Sequence, residues 1–157
     1  MEDKYMVITF CGHTQFMPTT DCFNRITTFL TERVGDKPAD IYLGGYGAFD
    51  LFAYDCCKKY KERNPNLLLY YITPYMPQKS KEDDFDMRRG KYDGVIYPEL
   101  ENKPKKFAIS YRNQWMVDRA DCVIAYVMHT WGGAYATYQY AKKKGKEVLN
   151  LGDKFLG

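Results

Sequence analysis

Apolar runs and stretches of helical periodicity alternate along this chain. Tyr5 to Phe10 (Tyr-Met-Val-Ile-Thr-Phe) is a continuous apolar, β-branched and aromatic run, the pattern of a strand buried on both faces of a parallel sheet. It ends at Gly12. Thr20-Asp21 then offers an N-cap, and Phe23, Ile26, Phe29 and Leu30 keep helical spacing over Cys22 to Arg33, until Gly35 stops the helix. Ile41 to Leu43 is a short second strand that runs into Gly44-Gly45-Tyr46-Gly47. The next helix covers Ala48 to Arg63, and Asn64-Pro65 ends it. Leu67 to Thr73 is a third apolar strand, closed by Thr73-Pro74. Met76 to Tyr92 is the most polar stretch, with Lys79 to Asp84 at its centre, and reads as a surface excursion with a short helix. Val95 to Tyr97 is a further short strand, Lys105 to Arg119 a helix, Asp121 to Val127 a strand and Ala134 to Lys144 a helix ended by Gly145. Glu147 to Leu151 is the last strand.

Strands alternating with helices predict an α/β fold, a Rossmann-like three-layer sandwich whose sheet is mainly parallel and has five or six strands. No repeat or low-complexity linker interrupts the pattern, so residues 1–157 are expected to form one domain, long enough for a core without disulfides or metals. The net charge of +3 and the lack of a dense Lys/Arg stripe argue against nucleic acid as a partner. Five cysteines (Cys11, Cys22, Cys56, Cys57 and Cys122) show no CxxC or Cys/His metal spacing and read as reduced thiols of a cytoplasmic protein. There is no run of 18 apolar residues and no apolar leader after Met1, so neither membrane nor export is expected. No metal and no cofactor are expected. Fifteen tyrosines raise the aromatic share to 17%, which suits pockets and interfaces that receive flat ligands.

Open parallel sheets bind ligands beyond the carboxyl ends of their strands. Four strand ends are distinctive here: Cys11-Gly12-His13-Thr14, Gly44-Gly45-Tyr46-Gly47, Thr73-Pro74-Tyr75 and His129-Thr130-Trp131-Gly132-Gly133. Glycine lets the backbone approach a ligand, and the helix that starts at once offers free N–H groups and its dipole to an anion. Tight strand-to-helix turns need glycine in any case, but two such loops in matching positions favour ligand binding. Neither loop is a GxGxxG or a GxxxxGK[ST], so neither a dinucleotide fingerprint nor a P-loop is indicated. Arg112 and Asn113 lie on the preceding helix, and Arg112 is suited to phosphate, or to a surface salt bridge. His13 and His129 each follow a strand, as acid/base groups, ligand donors or packed loop histidines. The candidate catalytic groups are Asp50, Glu99 and His13; Asp50 is also placed to reach a ribose or to serve as a first-turn helix acid. Tyr46, Tyr75 and Trp131 are placed to stack on a base.

These elements together resemble the SLOG superfamily of Rossmann-like proteins, and within it the YpsA-like (DUF1273-type) group. The matching residues are Gly12-His13, Gly44 to Asp50, Ile72-Thr73-Pro74-Tyr75, Arg112 to Asp118, Ala120-Asp121, and Gly132-Gly133 before a helix ending Ala141 to Gly145. The resemblance spans nearly the whole chain and implies nucleotide binding at the strand ends. The related LOG-type phosphoribohydrolases, which cleave a base from a nucleoside monophosphate, carry an Arg that Arg112 matches and a PGGxGTxxE loop. Here Trp131 stands for the proline, Tyr135 for the third glycine and Gln139 for the glutamate. An amide cannot supply the charge that a cationic sugar transition state requires.

The expected function is therefore binding of a nucleotide-derived small molecule by a sensor, carrier or sequestering protein. Its expected site is Gly12, His13, Gly44, Gly45, Tyr46, Gly47, Asp50, Arg112, Asn113, Thr130, Trp131, Gly132, Gly133 and Gln139. The alternatives are an N-glycosidase or (deoxy)ribosyltransferase, and a protein-interaction module with a vestigial pocket. A homo-oligomer is expected in each case.

Overall fold

The computed structural model describes residues 5–76 and 90–156. Residues 77–89, the greater part of the Met76 to Tyr92 stretch read above as a surface excursion, lie outside them. Six strands form one sheet: β1 (Met6–Gly12), β2 (Ala39–Leu43), β3 (Leu67–Ile72), β4 (Gly94–Ile96), β5 (Cys122–Tyr126) and β6 (Glu147–Asn150). Their order is β4-β3-β2-β1-β5-β6, and every neighbouring pair is parallel. Among the described residues, four α-helices of twelve or more residues connect them: α1 (Thr20–Arg33), α2 (Ala48–Lys61), α3 (Ala108–Arg119) and α4 (Gly132–Lys143). The expected Rossmann-like α/β architecture is the observed one.

Boundaries moved where local hydrogen bonding decided them. Thr19, not Thr20-Asp21, caps α1: its Oγ1 accepts the Cys22 N–H at 3.0 Å, and Asp21 sits in the first turn facing the dipole. The predicted helix from Lys105 begins as a 3-10 turn, Lys105–Phe107, and becomes α-helical at Ala108.

The strands explain their own sequence patterns. In β2 and β3, residues Ala39, Ile41, Leu43, Leu67 and Leu69 are buried under α1 and α2 together with Ile26, Leu30, Phe49 and Ala53. The intervening Asp40, Tyr42, Leu68 and Tyr70 are only half-buried. The alternation thus marks strands covered fully on one face. In β5, Cys122 and Ile124 join that core, while Val123 and Ala125 join a second one with Val117, Ala120 and Ala141 from the α3 and α4 side. A strand covered twice reads as an unbroken apolar run. All five cysteines are buried free thiols. Among the described residues, no helix is long and apolar enough to cross a membrane.

The chain runs outward from β1 to β4, then returns to place β5 on the other side of β1. The loops leaving β1 and β5 therefore diverge, and a crevice opens between them at the carboxyl edge.

Candidate functional site

That crevice is a cleft of about 370 Å³. Gly12 to Gln15 after β1 form one wall, and His129 with Trp131 to Ala134 after β5 form another. Tyr46 and Asp50 close it on the β2 side, and Ile109, Arg112, Asn113 and Met116 of α3 line the remainder.

An aromatic cluster supports the floor. Phe10 and Phe49 are buried with ring centroids 6.2 Å apart, and Phe16 packs edge-on against Phe49 at 5.2 Å and Tyr126 at 4.7 Å. Gly12 is glycine because of this cluster: a Cβ there would lie 2.3 Å from Phe49 Cδ2. The β5 loop is anchored by buried Asn150. Its Oδ1 accepts the Val127 N–H at 2.9 Å and the Gly152 N–H at 3.0 Å, and its Nδ2 donates to Val127 O at 3.0 Å.

Three rings stack along the cleft wall. His13 lies on His129 with centroids 3.8 Å apart and 12° between planes, and His129 lies on Trp131 at 3.7 Å and 16°. The indole is nevertheless 67% exposed. His13 Nε2 accepts the Met128 N–H at 3.0 Å, so this nitrogen carries no proton. Burial lowers the His13 pKa, and the neighbouring His129 lowers it further. His129 Nδ1 is buried and makes no hydrogen bond within the described residues.

The two glycine loops, expected to play one role, differ. No side chain caps α2, but its first turn carries the acid Asp50 and its first N–H is taken by the protein. The Tyr46 N–H donates to Asp50 Oδ2 at 3.3 Å, and the Ala48 N–H donates to Thr14 O at 2.9 Å. At α4 no side chain caps the helix and its first turn holds no acid. The anion-binding character of a helix start therefore survives at Gly132 and Gly133.

Asp50 is half-buried, and burial pushes its carboxyl up to about 6 against the Tyr46 N–H and the Arg112 charge. Cys11 stands beside it with a thiol pushed up to about 12 by burial and by Asp50, so it is no thiolate nucleophile at neutral pH. Arg112 is buried. Its Nη1 donates to Ile72 O at 2.9 Å and Gly44 O at 3.2 Å, and its Nε donates to Asn113 Oδ1 at 2.9 Å. It ties the ends of β2 and β3 to α3 while presenting charge to the cleft.

The structure gathers Gly12, His13, Tyr46, Asp50, Arg112, Asn113, Trp131, Gly132 and Gly133 around the cleft. It does not bring Gly44, Gly45, Gly47, Thr130, Gln139 or Glu99 to its lining. Gly44 instead leaves room for Arg112, whose Cζ would lie 3.0 Å from a Cβ, and Gly47 leaves room for Thr14 at the same distance with φ +90°. Gln139 donates to the Tyr135 hydroxyl at 2.6 Å on the exposed side of α4. Glu99 is exposed at φ 57° in the connection before α3. His129 lines the cleft although it was not among the expected site residues, and Asn150 carried no sequence signal beyond its place near the end of the last strand. Among the described residues, no cluster of three or more His, Cys, Asp or Glu side chains could hold a metal ion.

No family model and no curated protein matches this chain. Among solved structures it is similar to DNA processing protein A from Helicobacter pylori, described for a unique single-stranded DNA binding mode. The TM-score is 0.61 at 17% identity, over 92% of this chain and 64% of that one. At this identity the likeness is one of fold, and the chain spans 64% of that protein's length.

This comparison corrects two expectations. Preference for a nucleotide-derived small molecule rested on the two glycine loops and the family resemblance, and exclusion of nucleic acid on low net charge and the absence of a basic stripe. A protein of the same fold binds single-stranded DNA. Net charge sums over every face of a molecule, whereas a polynucleotide meets one edge. The small-molecule reading is set aside, and with it the glycosidase and interaction-module alternatives.

Proposed function

We propose that the protein binds single-stranded nucleic acid at this cleft. The observation that carries the reading is the exposed Trp131 ring, backed by His129 and His13, beside the uncapped and acid-free start of α4. A base stacks on the indole while a phosphate takes the N–H groups at Gly132 and Gly133. Such stacking needs an unpaired base and tolerates any sequence. Exposed Lys105 and Lys106, just before α3, add cations on the flank. The single-stranded DNA binding described for DNA processing protein A supports the reading. We further place the chain with the SLOG superfamily, near its YpsA-like group. The order of Gly12-His13, Gly44 to Asp50, Arg112-Asn113 and Gly132-Gly133 supports that placement.

The test is fluorescence anisotropy of a labelled oligothymidylate about twelve nucleotides long. Titration with protein gives saturable binding that an unlabelled single strand displaces and a duplex of equal length does not. With few phosphates neutralised, the slope of log affinity against log salt is shallow, about −1 to −2. Absence of saturable binding at low salt contradicts the proposal.

The pH dependence follows from Asp50. Its ionised form places a negative charge on the cleft wall, facing Arg112, the Cys11 thiol and the Tyr46 N–H. Binding of an anionic strand therefore favours the protonated carboxyl, and affinity rises about threefold as pH falls through about 6, the size of one screened charge. His13, with its lowered pKa, adds positive charge in the same direction at the acid end. Asp50→Asn removes most of this dependence and at neutral pH binds as the wild type does in mild acid. Stability moves with the same sign. The native carboxyl holds its proton up to about 6 and the unfolded one loses it near 3.8, so Asp50 costs stability as pH rises across that window.

A further inference from the structure

Exposed large apolar side chains gather at the carboxyl edge of the sheet. Met17, Tyr46, Leu51, Tyr75, Met128 and Trp131 all stand in its loops or on the first turn of a helix that leaves it. This rim extends well beyond the cleft. We infer that Tyr46 and Tyr75 form a second base-stacking station across the cleft from Trp131, so that one strand of about three to four nucleotides lies along the edge, an inference that rests on the single-strand reading above.

Strand order sets the span. Tyr46 follows β2, two strands from β5, and Tyr75 follows β3, three strands from it. Neighbouring strands lie about 4.8 Å apart, which puts the two tyrosine loops about 10 and about 14 Å from the Trp131 loop. Stacked bases advance about 3.4 Å per nucleotide along one strand, so this gap accommodates about three to four of them.

Both tyrosines are held outward by their loops. Tyr46 is 73% exposed between Gly45 at φ 68° and Gly47 at φ 90°, with its own N–H fixed on Asp50. Glycine on both sides permits the left-handed turns that project the ring. Tyr75 is 53% exposed. Its N–H donates to Thr73 Oγ1 at 3.3 Å, and the Thr73 hydroxyl donates to Tyr75 O at 3.2 Å. Thr73 is itself buried, with its N–H on Ile96 O at 2.9 Å. Rings presented on fixed backbone lose little freedom when a base lands on them.

The spacing favours a nucleic-acid strand over a protein partner. The three exposed rings stand on three separate loops, each with a flat face of the kind that receives a base. Between the two stations lie the Arg112 charge and the α4 N-terminus, where a backbone of phosphates passes, and Lys105 and Lys106 flank the same edge.

The experiment compares Tyr46→Ala/Tyr75→Ala with wild type on dithymidylate, hexathymidylate and the twelve-mer, by competition anisotropy. Wild-type affinity rises at least about tenfold from dithymidylate to hexathymidylate, because only the longer strand reaches both stations. The double variant gains less than about threefold with length, and Tyr75→Ala alone, outside the cleft lining, binds dithymidylate as the wild type does while losing part of the gain with length. Tyr46→Phe/Tyr75→Phe keeps the rings and restores the wild-type profile, which separates stacking from damage to the loops. Identical length profiles for wild type and the alanine variant overturn the second station and leave the function intact. A rim that instead pairs two copies appears in sedimentation as a dimer that the alanine variant dissociates, with DNA affinity unchanged, and this also overturns it. Failure of the wild type to bind any of the oligonucleotides overturns the function itself, and the second station with it.

Discussion

Replacing Trp131 by alanine lowers affinity for the single-stranded twelve-mer about ten- to hundredfold, while the melting temperature stays within about 2 °C of wild type. Base–aromatic stacking is worth about 1–3 kcal/mol per base, and the indole offers the largest exposed ring at the cleft. Its environment makes the effect specific. One face is covered by His129 at 3.7 Å, which fixes the ring's orientation, yet 67% of the residue remains exposed to receive a base. Trp131 contributes no side-chain cap to α4, so its loss leaves the helix as it was. Trp131→Phe keeps a π face in the same place and retains most of the affinity. Anisotropy and thermal melting on the same samples check both halves of the statement. A loss below about twofold, or a loss that tracks with unfolding, would remove Trp131 from the interface.

Arg112→Met destabilises the fold by about 3 kcal/mol, a fall in melting temperature of about 6–12 °C for a chain of this size. A base-contacting arginine on the surface would cost far less. Here the guanidinium is 4% exposed and donates to two main-chain carbonyls on two strand ends. Removing it leaves Gly44 O and Ile72 O without this donor in a buried setting, each at a cost of about 1–3 kcal/mol. Methionine matches the stem but has no donor. Lysine reaches one carbonyl at most, because it lacks the planar fork, and recovers only part of the loss. The same variant moves the cleft's pH dependence upward, since the Arg112 charge is one of the two influences holding the Asp50 carboxyl down. Melting curves and a pH series of the binding assay read out the two effects separately. A variant as stable as wild type would show that Arg112 serves the ligand and not the frame.

The order of elements was legible because strands buried on both faces and helices with one apolar face leave different periodicities. β1 and β5 appear as unbroken apolar runs for that reason; β3 reads as one too, and the half-burial of its Leu68 and Tyr70 emerges only in the fold. The carboxyl edge at which the cleft opens was legible from topology alone. The reason for each glycine was not. Gly12, Gly44 and Gly47 read as backbone approaching a ligand, yet each makes room for another residue of the protein: the Phe49 ring, the Arg112 guanidinium and Thr14. Those neighbours come from distant parts of the chain or from the far side of a loop, and spacing along the sequence does not contain them. The His13–His129–Trp131 stack was hidden for the same reason, since β1 and β5 are far apart in sequence and adjacent in the sheet. Gln139 was misplaced because a motif aligned residue by residue takes no account of which side of α4 it faces. The exclusion of nucleic acid failed because a formal charge of +3 says nothing about the edge where aromatic rings and an open helix start converge.

Those readings meet in one measurement: the backbone amide and indole NMR shifts of the full chain, followed as hexathymidylate is added. The account predicts that the largest changes fall at the Trp131 indole N–H and the Gly132 and Gly133 amides, then in the loops after β1 and β2, with α1 and the amino edge of the sheet unmoved. Shifts concentrated on α1, or no shifts at saturating oligonucleotide, would contradict it.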